Sequence, residues 1–368
     1  MKHNWEYKKI KEVCKKESSN LQQNKIAGLS GDYPVYGAGG IVKNVTFYEQ
    51  EKPYVGIVKD GAGVGRANIY PAKTSLLGTL QYILPNPDII IGYLLYCLQG
   101  LNLSKFASGA TIPHIYFRDY GECLIPLPPL SVQERIVEEL DRLSLILEKK
   151  KQQIKELDSL AQSIFYDMFG DPIENEKGWE VKKLGEICSD KQHIIRANKY
   201  FSKTAKIQYI DISSINNSSN TITNTTTFVF ENAPSRAQQK VEYGDVLISL
   251  VRPNLKNIAS IDIMCNNLVA SSGFCVLRGI NVSQYYIKAL VLTNHFTKYL
   301  TERVSGANYP AIHEEDIRNC IIGIPPLDLQ QSFAKKIEAI EKQKELINQS
   351  IKEVQLLFDA KMDYYFGD

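Results

Sequence analysis

GATIPHIYFRDYGECLIPLPPLSVQERI, residues 109–136, returns as GANYPAIHEEDIRNCIIGIPPLDLQQSF, residues 306–333. The offset of 197 holds without a gap as far as Phe169-Gly170-Asp171, which returns as Phe366-Gly367-Asp368. A second echo marks the start of each half. Trp5-Glu6-Tyr7-Lys8-Lys9-Ile10 with Cys14 returns as Trp179-Glu180-Val181-Lys182-Lys183-Leu184 with Cys188, at an offset of 174. The chain is a tandem duplication, expected to fold as two similar halves about an approximate two-fold axis. Everything between the matched ends has diverged, and the second half holds 23 extra residues there. Two different readers on one repeated frame fit that layout. An enzyme with two equivalent active sites would keep its chemistry best.

After Pro128-Pro129-Leu130 the pattern turns helical, with Ser131 as the expected cap and Glu134 three residues later. A heptad seam then runs through Ile136, Leu140, Leu143, Leu147, Ile154 and Leu157. The copy follows Pro325-Pro326-Leu327, with Asp328 as its cap and a seam through Ile337, Ile340, Ile347, Ile351 and Val354. Two such helices of equal length can bury their seams against each other as an antiparallel coiled coil about 60 Å long at 1.5 Å per residue. The diverged segments read as strands and turns, such as Tyr33–Ile41, Tyr54–Lys59, Gln208–Ile212, Gly244–Leu250 and Gly273–Leu277, with helices near Ile90–Leu103 and Gln284–Arg303. The expected fold is therefore α+β, with boundaries at 1–128, 129–171, 172–325 and 326–368.

Composition narrows the function. The formal charge of +2 divides into +4 over residues 1–128 and +3 over 172–325, against −3 and −2 over 129–171 and 326–368. The globular parts are mildly basic and the helices acidic, so only the former suit phosphate. Met1–Ile10 has no apolar leader, and the longest apolar stretch, Ile89–Leu103, is too short to span a bilayer. A cytoplasmic protein with no membrane partner is expected. The seven cysteines show no paired or metal-ligand spacing, so no metal site is expected and they read as core residues. The five histidines include no repeat-equivalent pair, and no catalytic constellation is visible.

Gly61-Ala62-Gly63-Val64-Gly65-Arg66 lacks the Lys-Ser/Thr of a phosphate loop and reads as a glycine-rich hairpin tip with Lys59 and Arg66 on its arms. Val251-Arg252-Pro253-Asn254-Leu255-Lys256-Asn257 is its analogue. Arginine can bond a guanine edge bidentately, asparagine an adenine edge, and lysine supplies a point charge. A third pair of segments, Ser108–His114 and Ser305–Ala311, keeps Ser-Gly-Ala and a proline and varies the residues between, as a reading loop would. Candidate DNA contacts are thus Lys59, Arg66, Thr111, His114, Arg252, Asn254, Lys256, Asn308 and Tyr309. Each of them equally suits ordinary surface charge or packing.

Across essentially its whole length the chain resembles the specificity subunit of type I restriction–modification systems. The likeness rests on the duplicated Pro-Pro-Leu-x-x-Gln (Pro128 to Gln133, Pro325 to Gln330), on Gly-Asp-Val-Leu-Ile-Ser at 244–249 and on Tyr-Pro-Val-Tyr-Gly at 33–37. Gln331 stands where the first copy has Glu134. The resemblance implies two target-recognition domains, 1–128 and 172–325, joined by two spacer helices, each domain binding one half of a split double-stranded DNA site. It implies no catalysis and no cofactor in this chain. Two modification subunits using S-adenosylmethionine would dock on the frame, and restriction subunits using ATP and Mg would join through them. An unrecognised duplicated transferase, or a helical scaffold for protein partners, is the competing expectation.

Overall fold

The computed structural model describes residues 5–109, 111–189, 196–306 and 310–367. The chain begins with β1 (Glu6–Lys9), α1 (Ile10–Val13) and β2 (Cys14–Ser18), then α2 (Gln23–Ile26) and the hairpin of β3 (Tyr33–Gly37) and β4 (Gly40–Val45). β5 (Tyr54–Val58), β6 (Ala67–Tyr70), β7 (Ser75–Leu76) and β8 (Leu80–Pro85) lead to α3 (Ile91–Gly100), α4 (Phe117–Tyr120) and β9 (Leu124–Leu127). One sheet has the order β2-β8-β5-β6 and another β4-β3-β7. The central β5 is buried at every residue. Val55 and Ile57 face the core built on Tyr93, Leu94 and Leu98 of α3, whereas Tyr54 and Val58 face Leu76 and Tyr82. A strand buried on both faces needs such an unbroken apolar run. Gly56 interrupts it because a Cβ there would lie 2.5 Å from the Tyr70 ring.

The second half repeats this plan. The long helix α5 (Leu130–Phe169) leads to β10 (Glu180–Lys183), α6 (Ala197–Tyr200), β11 (Lys206–Ile210), β12 (Ile215–Asn216), β13 (Thr221–Ile222), β14 (Thr226–Val229) and β15 (Ala237–Lys240). β16 (Val246–Ser249), β17 (Ile258–Ser260), β18 (Leu268–Ser271) and β19 (Phe274–Leu277) follow. After them come α7 (Gln284–Val291), α8 (Asn294–Thr301), α9 (Glu314–Arg318), β20 (Ile321–Ile324) and the second long helix, α10 (Leu327–Phe366). The sheet β17-β16-β19 matches β6-β5-β8 in register: Ile57 opposite Ala67 becomes Ile248 opposite Ile258, and Val55 opposite Ile83 becomes Val246 opposite Leu277. β16 again lies between two cores, Val246 and Ile248 on one face and Leu247 on the other. By β16 the offset between matched residues has grown from 174 to 191, so most of the extra residues lie ahead of it, where the sheet β14-β11-β18-β15 contributes β11, β14 and β15. The helix expected over Gln284–Arg303 is broken between α7 and α8, where the Thr293 side chain accepts from Phe296 N at 3.2 Å and starts a new helix.

The two echoes flanking each half are strand partners. β1 pairs antiparallel with β9, Lys9 opposite Leu124, and β10 pairs with β20 in the same register, Lys183 opposite Ile321. The repeated motif glutamines lock the same frame. Gln133 and Gln330 are buried; their Oε1 atoms accept from Ile90 N and Ser283 N at 2.9 Å, and their Nε2 atoms donate to Pro128 O and Pro325 O at 2.9 Å. Each thereby ties the entry of a domain helix to the proline pair. The long helices start one residue before the expected caps: Val132 N and Gln133 N donate to Pro129 O, and Gln330 N donates to Pro326 O. The second proline of each pair is the cap residue, since its fixed φ suits that position and it has no N–H to leave unpaired. Ser131 and Asp328 lie inside the first turn.

Compactness divides the chain into Met1–Gln152 with Ile347–Asp368, and Gln153–Leu346. These boundaries fall inside the long helices and not at the proline pairs, because each globular core is completed by the far end of the helix that follows the other half. In the first unit Phe358, Met362 and Phe366 of α10 pack on the core of Tyr93 and Tyr96. In the second, Phe165 and Phe169 of α5 are fully buried beside Tyr286 and Phe333. The helix ends run antiparallel within each unit. Lys361 Nζ is 2.7 Å from Glu139 Oε1 and Tyr365 donates to Glu139 Oε2 at 2.6 Å, while Leu143 and Leu357 line one depression. In the second unit Lys344 Nζ is 2.8 Å from Asp158, and Phe165 is 5.7 Å from Phe333. Along the seam Ile136, Leu140, Leu147 and Ile340 are buried, and Leu143, Ile154, Leu157, Ile337, Ile347, Ile351 and Val354 are half-buried. Of the four repeat-equivalent cysteines, Cys14, Cys188 and Cys320 are buried, which pushes their thiols up to about 12, whereas Cys123 is only half-buried.

Candidate nucleic-acid interface

Each unit joins its hairpin tip to its Ser-Gly-Ala loop through the same backbone bonds. In the first, Ser108 N donates to His114 O at 2.9 Å and His114 N to Ser108 O at 2.8 Å, closing the loop. Gly61 N donates to Pro113 O at 2.9 Å and Ile115 N to Lys59 O at 3.0 Å, seating the loop on the tip. In the second, Ser305 N and Ala311 N exchange bonds with the partner carbonyls at 2.9 and 3.0 Å; Arg252 N donates to Pro310 O and Ile312 N to Leu250 O, both at 2.9 Å. Val58 N to Arg66 O and Ser249 N to Asn257 O close the two tips, at 2.9 and 3.0 Å. The bonds that close each loop and seat it on its tip are shared, while every residue of the two tips and the residues between Ala and Pro in the loops differ.

The tips need left-handed backbone. Gly61 and Gly65 have φ of 79° and 88°, and the matched Arg252 and Lys256 have φ of 50° and 49°. Glycine takes such angles freely; a residue with a Cβ is disfavoured there by about 1–2 kcal/mol. Lys256 has a local reason to be there. Its Nζ donates to Leu292 O, at the end of α7, and to Asn294 Oδ1, each at 2.9 Å, and Asn220 Nδ2 donates to its carbonyl at 2.9 Å. Burial lowers the pKa of its ammonium. This lysine fastens the tip to the helical layer.

The other candidates are placed as follows. Arg66 is exposed, with Nη2 donating to Ala38 O at 3.1 Å, so its fork is partly spent on the turn between β3 and β4. Lys59 is half-buried, its Nζ 4.0 Å from Asp60. His114 binds the Asp60 carboxylate through Nδ1, and its ring lies 4.2 Å from that of Tyr116. Thr111 is exposed on the loop, next to Ile112 at 65% exposure. Arg252 and Asn254 are exposed at the second tip. Asn308 and Tyr309 lie outside the described residues. Tyr116, half-covered by the Arg118 guanidinium at 4.5 Å, was not among the sequence candidates. An aromatic followed two residues later by arginine is the signal that marks it. Asp60 was likewise missed, since its role shows only through its pairing with His114.

A third cluster joins the end of α5 to α8. The buried Asp171 carboxylate accepts from Ile173 N at 2.9 Å and Glu174 N at 3.2 Å, and holds His295 Nδ1 at 2.5 Å; His295 Nε2 is 3.2 Å from Glu174. The hydrogen bond to Asp171 raises the His295 pKa, helped by that carboxylate's charge. Among the described residues no group of three or more His, Cys, Asp or Glu side chains could hold a metal, and no helix is long and apolar enough to cross a membrane.

The model of the type I restriction modification DNA specificity domain matches residues 2–157 and 176–356. A specificity subunit of type I restriction enzyme MjaVIII from Methanocaldococcus jannaschii is 23% identical over 337 residues, covering 82% of this chain and 77% of its own. The MjaIX specificity subunit of the same organism is 22% identical over 378 residues, covering 91% and 86%. The crystal structure of a type I restriction–modification S subunit from M. genitalium superposes with a TM-score of 0.59 at 15% identity, covering 99% of this chain and 96% of that one.

Proposed function

Because the chain belongs to the family of type I restriction modification DNA specificity domains, we propose that it reads a split double-stranded DNA site, one half-site per unit. The observation that carries this reading is the pair of tip-and-loop moulds. The same closing and seating bonds are built twice, and the residues they present differ, with Arg252 and Asn254 exposed in the second copy and Arg66 and Thr111 in the first. Base contacts specify sequence and phosphate contacts position the protein. The mildly basic tips and loops would meet DNA, and the acidic helices α5 and α10 would set the gap between half-sites.

In this reading the chain is non-catalytic. Two modification subunits would dock on the repeated ribbon and helices and bring S-adenosylmethionine and adenine N6 methyl transfer. Restriction subunits joining through them would bring ATP and Mg. The purified chain should neither methylate nor cleave DNA, and adenine methylation should appear on adding a modification subunit. Long-read mapping of modified bases in cells with and without this gene reads out the site. Methyl transfer by the isolated chain, or a methylome unchanged by its loss, contradicts the reading.

A further inference from the structure

The two hairpin tips have equal length and matched closing bonds, so their positions correspond one to one: Gly61 with Arg252, Gly63 with Asn254, Gly65 with Lys256. The first tip carries glycine at all three, and the second carries arginine, asparagine and lysine. Lysine at the third position is explained by its bonds to Leu292 and Asn294. Arg252 has no such explanation. Its backbone is left-handed at φ 50°, and it precedes Pro253, which by itself pushes a residue toward extended backbone. Among the described residues its guanidinium has no hydrogen-bond or ion-pair partner. Glycine satisfies this position in the first unit, with nothing within 4 Å of an added Cβ.

Strain kept at a site with no internal return points to a geometric demand from outside the chain. Charge alone makes no such demand, because an exposed ammonium or guanidinium acts on phosphate over about 8–10 Å from any nearby backbone. A planar fork that must meet two acceptors does need a fixed origin and direction. We propose that Arg252 is a specificity-determining residue that reads a guanine in the second half-site through its O6 and N7 acceptors. The strained tip aims it, with Asn254 beside it. The glycine tip of the first unit contributes backbone and reads no base through Gly61, Gly63 or Gly65. Base choice in the first half-site therefore comes from elsewhere in that unit. This inference rests on the DNA-reading assignment above.

The test uses the full chain assembled with its modification subunit, on a duplex library randomised across both half-sites and on one fixed non-specific duplex at several salt concentrations. Arg252→Gly should fold and unfold at the same or a higher denaturant midpoint, since it relieves the backbone. It should lose preference at one guanine position of the second half-site by about 5- to 150-fold and leave the first half-site intact. Arg252→Lys keeps the charge and should lose most of the same preference. Replacing Arg252–Asn257 by Gly-Ala-Gly-Val-Gly-Arg should relax the same position.

Unchanged second half-site preference in Arg252→Gly overturns the inference. So does an equal weakening on all sequences with a shallower salt dependence, which is the mark of a phosphate contact. A marked loss of stability in Arg252→Gly would also overturn it, by showing the arginine to be structural. A wild-type complex with no sequence preference at all refutes the DNA-reading assignment itself, which is a separate result.

Discussion

Phe169→Ala should destabilise the second unit although residue 169 ends the helix that follows the first. Phe169 is fully buried, with its ring centroid 5.1 Å from Tyr286, 5.1 Å from Phe333 and 5.3 Å from Phe165. Truncating a buried phenylalanine to alanine costs about 3–5 kcal/mol, from lost transfer energy and the cavity left behind. Tyr286 cannot close that cavity, because its hydroxyl is held by Gly323 O at 2.5 Å. Against an ordinary domain stability of about 5–15 kcal/mol the loss takes about a fifth or more. Denaturant unfolding gives the size, and hydrogen exchange gives the place. Peptides from β16, β19 and α7 should exchange faster, while those from β5, β8 and α3 keep their protection. A loss below about 1 kcal/mol, or faster exchange confined to the first unit, would refute the claim that this helix end belongs to the second core.

Phe366→Ala, the repeat mate, should loosen α3 in the first unit and spare β16, by a smaller amount because Phe366 is only partly buried; exchange on the same peptides checks it. Gln330→Leu removes the acceptor for Ser283 N and the donor to Pro325 O and should cost about 1–3 kcal/mol for each group left unsatisfied, measured by urea unfolding. His295 has a folded pKa above its unfolded value, so its contribution is complete below about pH 6.5 and is lost as pH rises through the folded value. Stability of the second unit should therefore fall over that window, modestly because the side chain is 44% exposed, and His295→Gln should flatten the slope; an equal slope in the variant excludes the histidine. Deleting Gln152–Asp158 together with Gln349–Gln355 removes one heptad from each long helix, about 10 Å at 1.5 Å per residue. Mapped methylation sites should then keep both half-sites and shorten the gap, whereas an active double deletion with an unchanged gap shows that the helices do not set it.

What was legible in the sequence follows from what repeats. The gap-free copy from Gly109 onward exposes the helices and their seam, since a heptad pattern is local and periodic. The echo at Trp5 and Trp179 exposes the edges of the halves, but the pairing of β1 with β9 crosses more than a hundred residues, and no local pattern carries it. For the same reason Gln133 and Gln330 read as signature letters, while their work as buried braces between a proline carbonyl and a distant helix entry needs the fold. The tips were found as turns because glycine and proline mark turns locally. Their one-to-one match was hidden, because one copy meets the left-handed angles with glycine and the other with arginine and lysine.

The reciprocal exchange of helix ends also sets an order of events on the ribosome. Residues 1–152 emerge well before residues 347–368, whose Phe358, Met362 and Phe366 complete the first core. At about 5–20 residues per second, the interval is on the order of 10–40 s. The half that is made first is finished last, and until then the flank of Tyr93 and Tyr96 waits uncovered in the nascent chain. A chain stalled just before residue 347 therefore has an unsealed first core, whereas its second unit is already complete.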